Sequence, residues 1–146
     1  MATLYWLGTA DAVAQVSTVT VTGMDASTTY ILTVGGHTVT AVGVTGVTET
    51  AAALVTAWNA STDVYFSTVT ASSNAGVVTL TADTAGVPFV CTSSKTGGSG
   101  TIGSVTAVTA SAGPNDWSTA ANWSTGAVPV TNDDVIISDT AINICW

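Results

Sequence analysis

The single histidine of the chain, His37, stands in "GGHTVT" (35–40) with no Ser or Cys motif beside it, so no nucleophile and base pair can be read from the sequence. One histidine is also too few for a histidine-based metal centre. It reads as an exposed strand residue. The nine acidic residues admit a pair of carboxylates across a sugar on paper, yet their spacing marks no such pair. Chemistry is concentrated instead in "PNDWSTAANWSTGAVPVTNDDVII", residues 114–137, where Trp117 and Trp123 lie near Asp116, Asp133 and Asp134.

Two chemistries are open there. Trp117 and Trp123, with "STAAN" between them, can be brought together across a short turn and stack on a sugar ring, or they can pack beneath the chain as it turns. Packing is the expectation. Calcium is the one ion that the residue types admit, because "TNDDV" clusters the oxygen donors of Asn132, Asp133 and Asp134, with Asp116 or Asp139 in reach. The spacing is not that of an EF-hand, and a polar turn between strands explains it equally. No catalytic residue and no cofactor is assigned.

Composition excludes other classes. Charged residues make up 7% of the chain, Lys95 is its one basic side chain, and the net charge is -8. Too few cations exist to neutralise nucleic-acid phosphates or to hold an anionic membrane surface. No segment is apolar and long enough to insert in a bilayer as a helix. A mean hydropathy of +0.51 is that of a folding chain, not a disordered one. Its surface must be covered by hydroxyls, which suits a protein that stays assembled. The N-terminal "MATLYWLGTADAVAQ" lacks the basic and long apolar regions of a secretory signal. Cys91 and Cys145 fit no metal-ligand spacing and read as unpaired buried thiols.

The elements that position these residues follow from periodicity. "VSTVTVTG" (16–23) and "TTYILTVGG" (28–36) alternate as half-buried strands do, and Gly35-Gly36 permits a tight hairpin into "HTVTAV" (37–42). In "TETAAALVTAWNAS" (48–61), Ala51, Leu54, Val55 and Trp58 share one helical face, with Thr48 as cap and Glu49 at the positive end of the dipole. Further strands are predicted at "YFSTVTAS" (65–72), "VVTLTAD" (77–83), "VPFVCT" (87–92) and "TIGSVTAVTAS" (101–111), with a loop at "SSKTGGSG" (93–100). The triplets Asn59-Ala60-Ser61 and Asn122-Trp123-Ser124 match a glycosylation acceptor by chance in so hydroxyl-rich a chain and receive no function.

The block "TYILTVGGHTVTAVG…TAAALVTAWNAS…YFSTVTAS…GVVTLTADTAGVPFVCT" (29–92) resembles a module of structural proteins of tailed bacteriophages, including tail, fibre and decoration components. "DWSTAANWSTGAVPVTNDDVII" (116–137) is similar to a short motif at the start of right-handed β-helix regions in surface proteins and phage fibres, where the tryptophans are taken to cap the first rung. Only residues 138–146, ending in "AINICW" (141–146), follow it here, too little for a stacked β-helix. Such modules act by assembly and bring no catalytic residue.

The expected fold is mainly β (α+β), an antiparallel, sandwich-like sheet domain with one packed helix. It divides into an N-terminal arm (1–15), a β-rich domain (16–111) with its helix near 48–60, and a C-terminal β extension carrying the Trp motif (112–146). The expected role is a virion structural subunit whose partners are copies of itself and other virion proteins, with Cys145 and Trp146 buried at an assembly interface. The alternative is a surface-binding module of an extracellular adhesin that contacts a host glycan through Trp117 and Trp123.

Overall fold

The computed structural model describes residues 1–138. Cys145, Trp146 and Asp139 therefore lie outside the described residues. The fold is mainly β, with ten strands and one α-helix among those residues. Strand β1 is Thr3–Tyr5, β2 Val16–Gly23, β3 Thr29–Val34, β4 His37–Val42, β5 Val69–Asn74 and β6 Val77–Ala82. Helix α1, Val47–Asn59, lies between β4 and β5 in sequence, and β7 (Cys91–Thr96), β8 (Thr101–Ile102), β9 (Thr106–Thr109) and β10 (Asp134–Ile136) follow.

Two antiparallel sheets and the helix enclose the main core. One sheet runs β5-β6-β2-β8, with β9 also on β2, and the other runs β4-β3-β7. Alternation puts Val19, Val21, Tyr30, Leu32, Val78 and Leu80 on the inner faces, where Ala51, Leu54 and Trp58 of α1 meet them. Trp58 packs edge-to-face on Phe66 with centroids 4.8 Å apart. Gly35 and Gly36 take φ of 58° and 85° between β3 and β4, as a two-residue hairpin turn requires, and Ala75 and Gly76 take 49° and 85° between β5 and β6, where only the glycine is at ease and Ala75 is held in the left-handed region.

Local readings change at four places. The helix starts one residue earlier than expected, and its N-cap is Gly46 with no side-chain cap, so Thr48 lies inside the first turn. Thr50 braces the loop before the helix, its hydroxyl accepting the Val44 N–H at 3.1 Å and donating to Gly46 O at 2.7 Å. The strand expected from residue 65 begins at Val69, because Asp63 organises a turn there: its side chain accepts the Tyr65 N–H at 3.0 Å and its carbonyl accepts the Phe66 N–H at 3.0 Å.

Residues 87–90 are not a strand. Ladder pairing begins at Cys91 and runs on through Thr96 in register with β3, so the glycine-rich loop is confined to residues 97–100. The strand expected over 101–111 is divided into β8 and β9, and its pairing with β2 shifts register in both pieces. Asp25 ties down the tip between β7 and β8, accepting from both N–H and Oγ–H of Ser99. No helix among the described residues is long and apolar enough to cross a membrane.

Candidate functional site

The Trp-rich stretch folds into a clamp around the N-terminal strand. Residues Ala120–Asn122 make one 3-10 turn, which swings Trp123 inward. Trp123 is 1% exposed and stands edge-to-face against two other indoles, Trp6 at 4.8 Å and Trp117 at 4.7 Å between centroids. Its Nε1–H donates to Trp117 O at 3.0 Å, so the one polar atom of the buried ring is satisfied. Leu4, Trp6 and Trp123 form a second core, with Trp117, Val128 and Val135 partly buried against it.

Asn122 is the polar centre of this clamp. The residue is fully buried. Its Oδ1 accepts the Ala10 N–H at 2.9 Å, while Nδ2 donates to Gly113 O at 2.6 Å and to Asp116 O at 2.9 Å. Its carbonyl accepts the Leu7 N–H at 2.7 Å. One step further along, Ser124 N–H donates to Tyr5 O and Tyr5 N–H donates to Ser124 Oγ, both at 3.0 Å. Gly8, at φ 59°, passes close by; a Cβ there would stand 3.2 Å from Trp6 Nε1 and 3.3 Å from Pro114 O.

The other side of β1 is taken by β10. The two pair in parallel, with Leu4 beside Val135. Asn132 takes a φ of 75° in the turn that leads into β10. Asp133 then spends both carboxylate oxygens on backbone amides: Oδ1 accepts the Ala2 N–H at 2.8 Å and Oδ2 accepts the Val130 N–H at 3.0 Å. These bonds favour the charged form and hold its carboxyl below the usual carboxylate range. Asp134 donates its N–H to Ala2 O at 2.8 Å and lies exposed. Among the described residues no three His, Cys, Asp or Glu side chains are grouped as a metal would need.

Geometry therefore brings Trp117, Trp123, Asn122 and Asp116 together and sets Asp133 against the chain's second residue. The Trp117 and Trp123 planes meet at 73°, so they offer no coplanar platform to a sugar ring. Asn122 was legible only as a chance glycosylation triplet. A usable signal was present: a lone amide between Ala121 and Trp123 must find partners once the tryptophan is buried.

Elsewhere, Nδ1 of the exposed His37 contacts Oδ2 of Asp63, and its ring stacks on Tyr65 at 4.2 Å. Both contacts tie the tip of the β3–β4 hairpin to the turn after α1. Cys91 is a buried free thiol, pushed up to about 11 by desolvation. At neutral pH it is protonated and a poor nucleophile.

No protein-family model matches the chain. A comparison with curated proteins likewise yields no significant match.

Proposed function

We propose that the chain is a structural subunit of a bacteriophage virion, in a tail or fibre appendage or as a capsid decoration protein, and that it acts through subunit assembly. The observation that carries this is the surface. Val64, Val87, Val90 and Val108 are 67%, 52%, 78% and 60% exposed on a chain with only 7% charged residues. Exposed aliphatic side chains on so weakly charged a surface favour contact with other subunits over a free monomer. The phage setting follows from the resemblance of residues 29–92 to virion modules. The Trp motif then serves the fold from within, fastening the N-terminal strand, and leaves the outer surface for assembly.

Two measurements test the proposal. Light scattering and imaging of the native particle should give a mass of several chains in symmetric contact; a monomer at every concentration would sink it. Peptide mapping of purified phage particles from a strain that encodes the chain should find it in stoichiometric amounts. Its presence only in the soluble fraction of the lysate would refute the virion setting.

A further inference from the structure

The two outer strands beside α1 differ in what their free edges meet. In the β5–β6 hairpin, Asn74 pairs with Val77 across a two-residue turn, so Thr70, Ser72 and Asn74 face β6 and Val69, Ala71 and Ser73 face outward. The outward groups of Ala71 and the outward carbonyl of Val69 are met by the end of the helix. Asn59 Nδ2 donates to Ala71 O at 3.0 Å and Asn59 Oδ1 accepts the Ala71 N–H at 3.3 Å, while Trp58 Nε1–H donates to Val69 O at 2.7 Å. The Val69 N–H is taken by Phe66 O at 3.2 Å. At Val69 and Ala71 this edge is closed, largely by side chains that imitate a neighbouring strand.

Strand β4 has no such cover. Val34 pairs with His37 across the Gly35-Gly36 turn, and the Gly43 N–H donates to Thr28 O at 3.0 Å in the same phase. His37, Val39 and Ala41 therefore bond β3, and the backbone groups of Thr38, Thr40 and Val42 point away from it. Among the described residues none of these groups has a hydrogen-bond partner, and all three side chains are exposed. No proline, charge or bulge interrupts the strand, the devices that usually blunt an open edge.

We infer that β4 is the edge through which a second copy of this chain binds, antiparallel and about a two-fold axis at Thr40; this rests on the assembly reading above. The sequence is self-complementary in that register. Thr40 faces Thr40 and Thr38 faces Val42, pairings that suit neighbouring strands, and His37 faces Gly43. Charge does not oppose this pairing. Two chains of net charge -8 repel, but residues 37–48 contain no acidic side chain, and Asp63, at the strand's start, is held against His37. The sheet β4-β3-β7 becomes six-stranded across the axis, and both copies satisfy their outward groups at once.

Sedimentation velocity on the wild type, Thr40→Lys and Thr40→Pro tests this. Thr40 donates no bond to β3, so proline there removes only the outward N–H, and lysine adds a charge at an exposed position. Both variants should keep the wild-type far-ultraviolet spectrum while the dissociation constant rises at least roughly tenfold. A cross-link reads the register directly. On a Cys145→Ser background, Thr40→Cys should form a disulfide dimer on oxidation, because facing residues of a bonded pair lie about 5.5 Å apart; Ser72→Cys on β5 should not.

An oligomer of unchanged mass in the folded variants, with no Thr40→Cys cross-link, overturns β4 as the contact and leaves the assembly reading standing. A wild type that is monomeric at every concentration removes both. Should Thr40→Pro fail to fold, Thr40→Lys and the cross-link still decide. Loss of self-association with no cross-link assigns the edge to another register or to a foreign strand, and overturns the two-fold pairing.

Discussion

The side-chain amide of Asn122 holds Ala10, accepting its N–H at 2.9 Å across 112 positions of chain. The same device recurs twice. Gln15 accepts the Phe89 N–H at 3.1 Å and donates to Phe89 O at 2.9 Å, and Asn59 pairs with both backbone groups of Ala71. A primary amide carries a donor and an acceptor side by side, as a strand backbone does. In a chain nearly without basic residues, amides take over long-range fastening that ion pairs often provide.

Asn122→Ala should therefore loosen the N-terminal strand before the main core. Truncation leaves the Ala10 N–H without its partner, at about 1–3 kcal/mol for a buried unpaired group, while Gly113 O and Asp116 O each lose one bond and keep those from the Asp116 and Thr119 N–H groups. Asn122→Asp keeps an acceptor for Ala10 but loses both donations, and should be no milder. Hydrogen exchange resolved by residue checks this: protection should fall at Leu7 and Ala10 and stay near the wild-type value at Leu32 and Leu80.

Trp123→Ala empties the second core. A loss of about 3–5 kcal/mol is expected for an aromatic this deeply buried, while Trp123→Phe, which retains packing but removes the bond to Trp117 O, should lose less. Limited proteolysis near residues 1–10 is the readout. An uncut N-terminus in Trp123→Ala would contradict the clamp.

The hairpin at 29–42 and the buried face of α1 were legible because their signals are local: alternation at Tyr30, Leu32 and Val34, a Gly-Gly turn, and Ala51, Leu54 and Trp58 at helical spacing. The β1–β10 pairing was not, since its parallel register joins Leu4 to Val135 and leaves no trace in either short segment. Residues 87–90 look like a strand by composition, yet Gln15 supplies the partner for Phe89, so no ladder forms there. The Trp motif announced burial of an aromatic pair. That its companion would be Trp6, and its polar centre Asn122, depended on contacts across the whole chain.

Acid should release the tip between β7 and β8. Bonds from Ser99 and then Ser27 lower the Asp25 carboxyl from its ordinary 3.8 to about 2. A carboxyl whose folded pKa lies below its unfolded value stabilises the fold above the unfolded value, and the contribution disappears as pH falls through the folded one. The window is thus from about pH 4 down to about pH 2. Protection of the Ser99 amide, its exchange rate taken relative to the intrinsic rate at each pH, should fall through that range in the wild type. In Asp25→Asn protection should already be low at neutral pH and change little with acid.

Asn59→Ala should change solubility more than stability. Losing two part-buried bonds to an edge strand costs about 1–2 kcal/mol, a modest fraction of a domain's stability. The physical consequence lies at the edge itself. With Asn59 gone, Ala71 presents an N–H and a carbonyl beside Ser73 on a strand already rich in hydroxyl and aliphatic side chains, and β5 becomes available for pairing with other chains. Scattering during storage near the melting midpoint should rise in Asn59→Ala relative to wild type, while Asn59→Gln, which keeps the amide on a longer stem, should fall between them. If aggregation is the same in all three, the amide is a local hydrogen bond and not a guard of the edge.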